Sequence, residues 1–263
     1  VLALGRGAVE QLVIDQPDLE LRRTTDGGLL VGGIDLSGDA SGDTAAADWF
    51  FSQAEFIVRG GRVRWVDERR SAPPVAQNDV QFVVRNGYGR HQLRLDATPD
   101  TAWGERFTLI GQFRQPVFSR HPGFWRDWEG HAFADFRRVD VSQLRQYADL
   151  KTDWGVDLQG GHGALRLWAD VKKGVLTAAT ADVALGGVSA TFGPTLEPLA
   201  FAALTGRLGW RNVGQGMEVD TRNLHFVDAD GLTWPGGNVR LSYRDADGGE
   251  LQGDRLDLAA LAK

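Results

Sequence analysis

Residues Ala54–Arg70 read AEFIVRGGRVRWVDERR. An apolar run leads into Gly60-Gly61, after which Val63 and Trp65 alternate with Arg62 and Arg64. A period of two, with one apolar and one charged side, is the pattern of a strand whose two faces meet different surroundings. The stretch reads as a two-faced strand pair that ends in the charged cluster Asp67–Arg70. Much of the chain repeats this pattern. What covers the apolar face therefore decides both fold and function.

Upstream, Val13-Ile14 and Leu19–Arg22 read as strands, Asp26-Gly27-Gly28 as a hairpin turn and Leu29–Leu36 as the return. Ser37–Thr44 is a polar loop, and Asp43 or Thr44 can cap a short helix over Ala45–Gln53. Such a helix is too short to stand alone and must lay Trp49, Phe50 and Phe51 on the sheet. Downstream, Val80, Phe82 and Val84 alternate, Asn86-Gly87-Tyr88-Gly89 turns, and His91, Leu93, Leu95 and Ala97 return. Phe107, Leu109, Gly111 and Phe113 form the next strand. Residues 115–131, QPVFSRHPGFWRDWEGH, break the rhythm with two prolines and several aromatic residues. They read as a loop packed over a sheet end, or as a gate or partner-contact element.

After Ala132–Phe136 a second short helix is expected over Gln143–Asp149, started by Asp140 or Ser142. From Gly160 the alternation is regular: Leu165, Leu167, Ala169 and Val171; then Ala179, Ala181, Val183 and Leu185; then Leu204, Gly206, Leu208 and Trp210. Met217 and Val219, Leu224 and Phe226, and Val239, Leu241 and Tyr243 follow, and Asp257–Lys263 reads as the start of a helix. About fifteen strands at roughly ten-residue spacing argue for antiparallel all-β structure rather than βαβ units. Residues 1–263 read as a single elongated β region with a weak seam near 150–160.

Composition narrows the function. The net charge of −6 gives no nucleic-acid footprint and no polybasic membrane patch. No run approaches the roughly 18 apolar residues of a membrane span, and no signal peptide is visible. Val1 is not an initiator methionine, so the chain reads as a piece of a longer protein. With no cysteine there are no disulfides, thiolate zinc sites or cysteine nucleophiles. The five histidines, His91, His121, His131, His162 and His225, form no HExxH pair, and no G-x-S-x-G, P-loop or dinucleotide fingerprint occurs. The turns Asp228–Gly231 and Asp245–Gly248 lack the remaining spacing of a calcium loop and read as hairpin turns. No catalytic residue, metal ligand or cofactor is assigned, and a non-enzymatic role is expected.

The apolar faces are the positive signal. They can close against a second sheet as a sandwich core. Alternatively the sheet curls into an open trough, a groove or half-pipe whose apolar side holds acyl chains.

Three segments resemble one family. They are Trp49 to Pro74, with Ala54–Val58 and Arg62–Arg70 at its centre; Gly163–Trp168, GALRLW; and Leu204–Arg211, LTGRLGWR. Together they resemble YhdP-type proteins of the AsmA-like superfamily, which are likened to bridge-like lipid-transfer proteins. The resemblance implies an internal periplasmic fragment of a Gram-negative envelope protein, anchored in the inner membrane by a helix outside this chain. It implies a long antiparallel sheet whose hydrophobic groove carries phospholipid toward the outer membrane, with acyl chains as the ligand and envelope proteins as further partners. A structural or docking β module without lipid conduction is the alternative. On this reading Val63, Trp65, Val80, Phe82, Val84, Leu93, Leu95, Phe107, Leu109, Leu165, Leu167, Val183, Leu185, Leu208 and Trp210 face the lipid track. The Asp67–Arg70 cluster marks its wet rim.

Overall fold

A computed structural model of the chain describes residues 10–37, 45–70, 73–119, 121–146, 156–192, 198–234, 236–244 and 248–254. Its strands are β1 (Gln11–Asp15), β2 (Asp18–Arg23), β3 (Leu29–Val31), β4 (Ile34–Asp35), β5 (Glu55–Asp67), β6 (Val75–Gly87), β7 (Arg90–Pro99) and β8 (Phe107–Arg114). They continue as β9 (Glu129–Asp140), β10 (Val156–Lys172), β11 (Val175–Phe192), β12 (Leu199–Asn212), β13 (Gly216–Asp228), β14 (Thr233–Trp234), β15 (Val239–Arg244) and β16 (Gly248–Gly253). The described helices are α1 (Ala45–Ser52) and two short 3-10 segments, Trp125–Asp127 and Val141–Gln146.

All sixteen strands join one sheet in the order β16-β15-β13-β12-β11-β10-β9-β8-β7-β6-β5-β2-β3-β4, with β1 beside β5 and β14 beside β13. The path has two ends, so the sheet is open. The antiparallel all-β structure expected from the alternation and the long sheet implied by the resemblance are both present, and the alternative of a closed two-sheet sandwich is not formed. One departure from the antiparallel pattern lies at the β5 side, where β1 and β2 run parallel to β5. That crossover is made through β3, β4 and α1.

The stretch Ala54–Arg70 is mostly one strand, not a pair. Phe56 and Val58 lie opposite Val84 and Phe82 of β6; after one register shift Gly61 lies opposite Val80, and after a second, with the extra residue on β6, Val63 and Trp65 lie opposite Gln77 and Val75. One extra residue is inserted between Val58 and Gly61. This bulge moves the inward phase from even to odd positions, which keeps Phe56, Val58, Val63 and Trp65 on one face. Gly60 sits there at φ 62, a left-handed conformation that glycine adopts without strain. Gln16, opposite it on the parallel neighbour, has φ 50, and the pairing keeps the same offset on both sides, Asp15 with Arg59 and Asp18 with Arg62. β1 and β2 therefore follow β5 as one strand with a kink that matches the bulge of β5, and β3 pairs with the far side of β2.

The β6–β7 hairpin turns on Tyr88-Gly89, with φ 51 and 70, the second half of the expected turn Asn86–Gly89. Positive φ at both central residues suits the right-handed twist of the strands. Asn86 is freed for side-chain bonding. The predicted second helix is the 3-10 segment Val141–Gln146, where Asp140 Oδ1 accepts the Ser142 N–H at 3.0 Å; residues 147–149 lie outside the described residues. So do the predicted helix Asp257–Lys263, the turn Asp245–Asp247 and most of the seam near 150–160. Contacts gather into two compact units: Val1–Asp100, Arg106–Ala132 and Val171–Val175 form the first, and Thr101–Glu105, Phe133–Asp170 and Leu176–Lys263 the second.

Candidate functional site

In the first unit the strand register stacks apolar side chains into rows that cross the sheet. One row is Ile14, Val58, Phe82, Leu95 and Leu109; the next, toward the hairpin, is Leu12, Phe56, Val84, Leu93 and Gly111. On the other side, Leu19, Val63 and Gln77 align, as do Leu21, Trp65 and Val75. Phe107 pairs with Ala97. The predicted positions Val63, Trp65, Val80, Phe82, Val84, Leu93, Leu95, Phe107 and Leu109 thus share one face. They differ in depth. Val80 and Val84 are enclosed at 2% and 0% exposure, so protein already fills their surroundings, whereas the other seven are half-buried.

Asp67 departs from the expected wet rim. It lies on the apolar side of β5, almost fully buried, with one carboxylate oxygen 3.5 Å from Arg23 and the other without a hydrogen-bond partner. Glu68, next to it, does reach the polar side and binds Arg22 at 2.8 Å.

At the hairpin end the rows are covered. Helix α1 and the segment around Gly123–Trp128 dock on each other and on the sheet. Asp48 accepts the Gly123 N–H at 2.8 Å and meets His121 Nδ1 at 2.8 Å, and Trp125 Nε1 donates to the Leu36 carbonyl at 2.9 Å. Gly123 is required here, because a Cβ would lie 2.4 Å from the backbone of Ala47 and Asp48. Beneath this cover Phe50 packs on Phe56, and Phe51 packs edge-on to both His91 and Trp128. His91 and Trp128 stack with ring centroids 3.8 Å apart. His91 bonds Asn86 Oδ1 at 2.8 Å, and Asn86 Nδ2 donates to the Gln53 carbonyl at 2.8 Å. Burial pushes the His91 imidazole down to about 4. Sequence reasoning placed an aromatic helix and an aromatic loop over the sheet but did not foresee that they meet at His91. The period-two position of His91 beside Leu93 and Leu95 was the available signal.

In the second unit Ala179 faces Trp210, Ala181 faces Leu208, and Leu185 faces Leu204. Val139, Val141, Leu165 and Val183 are its buried core, with Phe136, Leu158, Leu167, Leu185 and Leu208 packed around them. The predicted positions Leu165, Leu167, Val183, Leu185, Leu208 and Trp210 therefore also share a face. The row Ala179, Trp210, Val219, Leu241 and Leu251 continues across β11, β12, β13, β15 and β16. Its exposure rises toward the edge, to 39% at Leu241 and 54% at Leu251.

The opposite faces are charged. Arg22 and Arg64 share Glu20, Arg85 binds Glu55 at 2.7 Å, and Arg94 binds Asp96 at 2.7 Å. In the second unit Arg166 binds Asp135 at 3.2 Å and Arg207 also clasps Asp182. These guanidinium hydrogen bonds hold Glu20, Glu55, Asp96 and Asp182 below the usual carboxylate range. Carboxylates so held stay ionised near neutrality and are poorly placed to donate protons. Among the described residues no group of three or more His, Asp or Glu side chains comes together as a metal site, and no helix is long and apolar enough to cross a membrane. Asp228 Oδ1 accepts from the backbone N–H groups of Asp230 and Leu232, which makes that aspartate a turn residue.

These features define a class: a mainly-β protein with its described strands in one open sheet, and in each unit an apolar face backed by a charged one. The chain belongs to the YhdP protein family, whose model matches residues 2–263. No curated protein and no solved structure matches it significantly.

Proposed function

We propose that the apolar faces hold phospholipid acyl chains, and that the chain is a segment of an envelope protein that carries phospholipid between the inner and outer membranes. The observation that carries this reading is the row ending at Leu241 and Leu251, where apolar side chains meet solvent instead of a second sheet. Family membership supports it. Each methylene buried is worth about 0.8 kcal/mol, so about ten methylenes on such a row supply roughly 8 kcal/mol. Successive strands offer similar apolar sites, so a chain can move from strand to strand along a row without entering water. Ion-paired carboxylates on the charged faces favour a conduit over an enzyme. Location on the periplasmic side, with an anchor elsewhere in the protein, belongs to the same proposal.

The test is lipid carried through purification from membranes, measured by mass spectrometry, in wild type and Leu241→Asp. Leu241 is exposed enough for an aspartate to hydrate there, so the fold is retained and the lipid load falls. A wild-type protein free of phospholipid, or an unchanged load in the variant, would overturn the reading.

A further inference from the structure

We infer that α1, Phe113 and Trp128 form a side wall that bars acyl chains from the hairpin end of the first unit, so that the row Val58, Phe82, Leu95 and Leu109 is the first one a lipid can occupy. This rests on the lipid reading above. Three observations carry it. First, the two rows nearest the hairpin already have occupants: Phe50 lies on Phe56, and Phe51 and Trp128 lie on His91. Second, the Phe113 ring leans over its neighbour row. A Cβ on Gly111 would lie 2.5 Å from that ring, so the space opposite Leu93 is filled by Phe113 itself. Third, the floor changes chemistry. The row Asn86, His91 and Phe113 is partly polar, and His91 Nε2 and Trp128 Nε1 are buried with no hydrogen-bond partner. An alkyl chain laid there would displace aromatic packing and set hydrocarbon against polar ring nitrogens. One row further on the floor is hydrocarbon throughout: Val58 is buried at 3%, and Phe82, Leu95 and Leu109 are half-buried, with no aromatic ring from α1 or Trp128 stacked on Phe82 among the described residues.

The wall thus sets one margin of the track and holds a passing chain to the hydrocarbon rows. The experiment places the photo-crosslinker p-benzoylphenylalanine at Leu95, Leu109, Leu93 or Phe113 in the full-length protein in membranes, and detects phospholipid adducts by mass. Adducts are expected at Leu95 and Leu109 and none above background at Leu93 and Phe113. In the double variant Phe51→Ala/Trp128→Ala, adducts should also appear at Leu93 and Phe113. Adducts at all four positions of the intact protein would overturn the wall and leave the lipid reading standing. Adducts at none would overturn both. If the double variant does not fold, the comparison of the four positions in the intact protein decides alone.

Discussion

His91 is a strand residue whose neighbours, not its sequence position, set its chemistry. Enclosed between Phe51, Trp128 and Asn86, its imidazole is held neutral, with a pKa lowered from 6.5 to about 4 by burial. The folded state therefore refuses a proton that the unfolded chain accepts. Stability from this group is complete above pH 6.5, falls as the pH drops toward about 4, and stops falling below that value. The full shift corresponds to roughly 3 kcal/mol. Urea midpoints taken between pH 7 and pH 4 should fall more steeply for the wild type than for His91→Phe; equal slopes would show that His91 is not the group responsible. The face of His91 was legible, since it alternates with Leu93 and Leu95. Its depth was not, because the covering residues come from positions 51 and 128, and a strand pattern says nothing about what arrives from so far along the chain.

At the scale of elements, matched irregularities matter more than regular strands. Gly60 and Gln16 sit opposite each other as extra residues in neighbouring parallel strands, and both have positive φ. Deleting Gly60 alone leaves β1 and β2 a residue out of step with β5 on one side of the kink; deleting Gln16 alone does the converse. Each single deletion should cost on the order of 2 kcal/mol. Deleting both restores the parallel register and still keeps Val63 and Trp65 on the side of Phe56 and Val58, although the extra residue of β6 between Val80 and Gln77 then loses its counterpart in β5. Denaturation of the three variants checks this: a double deletion weaker than either single would refute the matched pair. The glycine pair was visible in the sequence, but it reads equally as a turn. Only the change of apolar phase, from Phe56 and Val58 to Val63 and Trp65, separates a bulge from a hairpin. The parallel pairing was less legible still. β1 and β2 alternate like any antiparallel strand, and the crossover that reverses their sense passes through α1.

Across the molecule, regular alternation carried most of the reading. It gave many short, mostly antiparallel strands and put the predicted apolar positions of each unit on a common face; that the sheet stays open was implied by the family resemblance, not by the alternation. It could not separate Val84, fully enclosed, from Leu241, half in water, because period two fixes a side and not a depth. The row that ends at Leu251 has a further effect on how the material handles. β16 is GGELQG, exposed at every position and without the lysine or proline that natural edge strands use to discourage pairing. Among the described residues it pairs only with β15. A bench solution of this chain should behave as an adhesive colloid, its sedimentation coefficient climbing with protein concentration. Leu251→Lys should keep it monodisperse, and a wild type that sediments as a monomer at every concentration would show the edge to be inert. Mild detergent in the purification buffer follows directly: the exposed apolar surface that we propose holds lipid would also make the protein sticky in its absence.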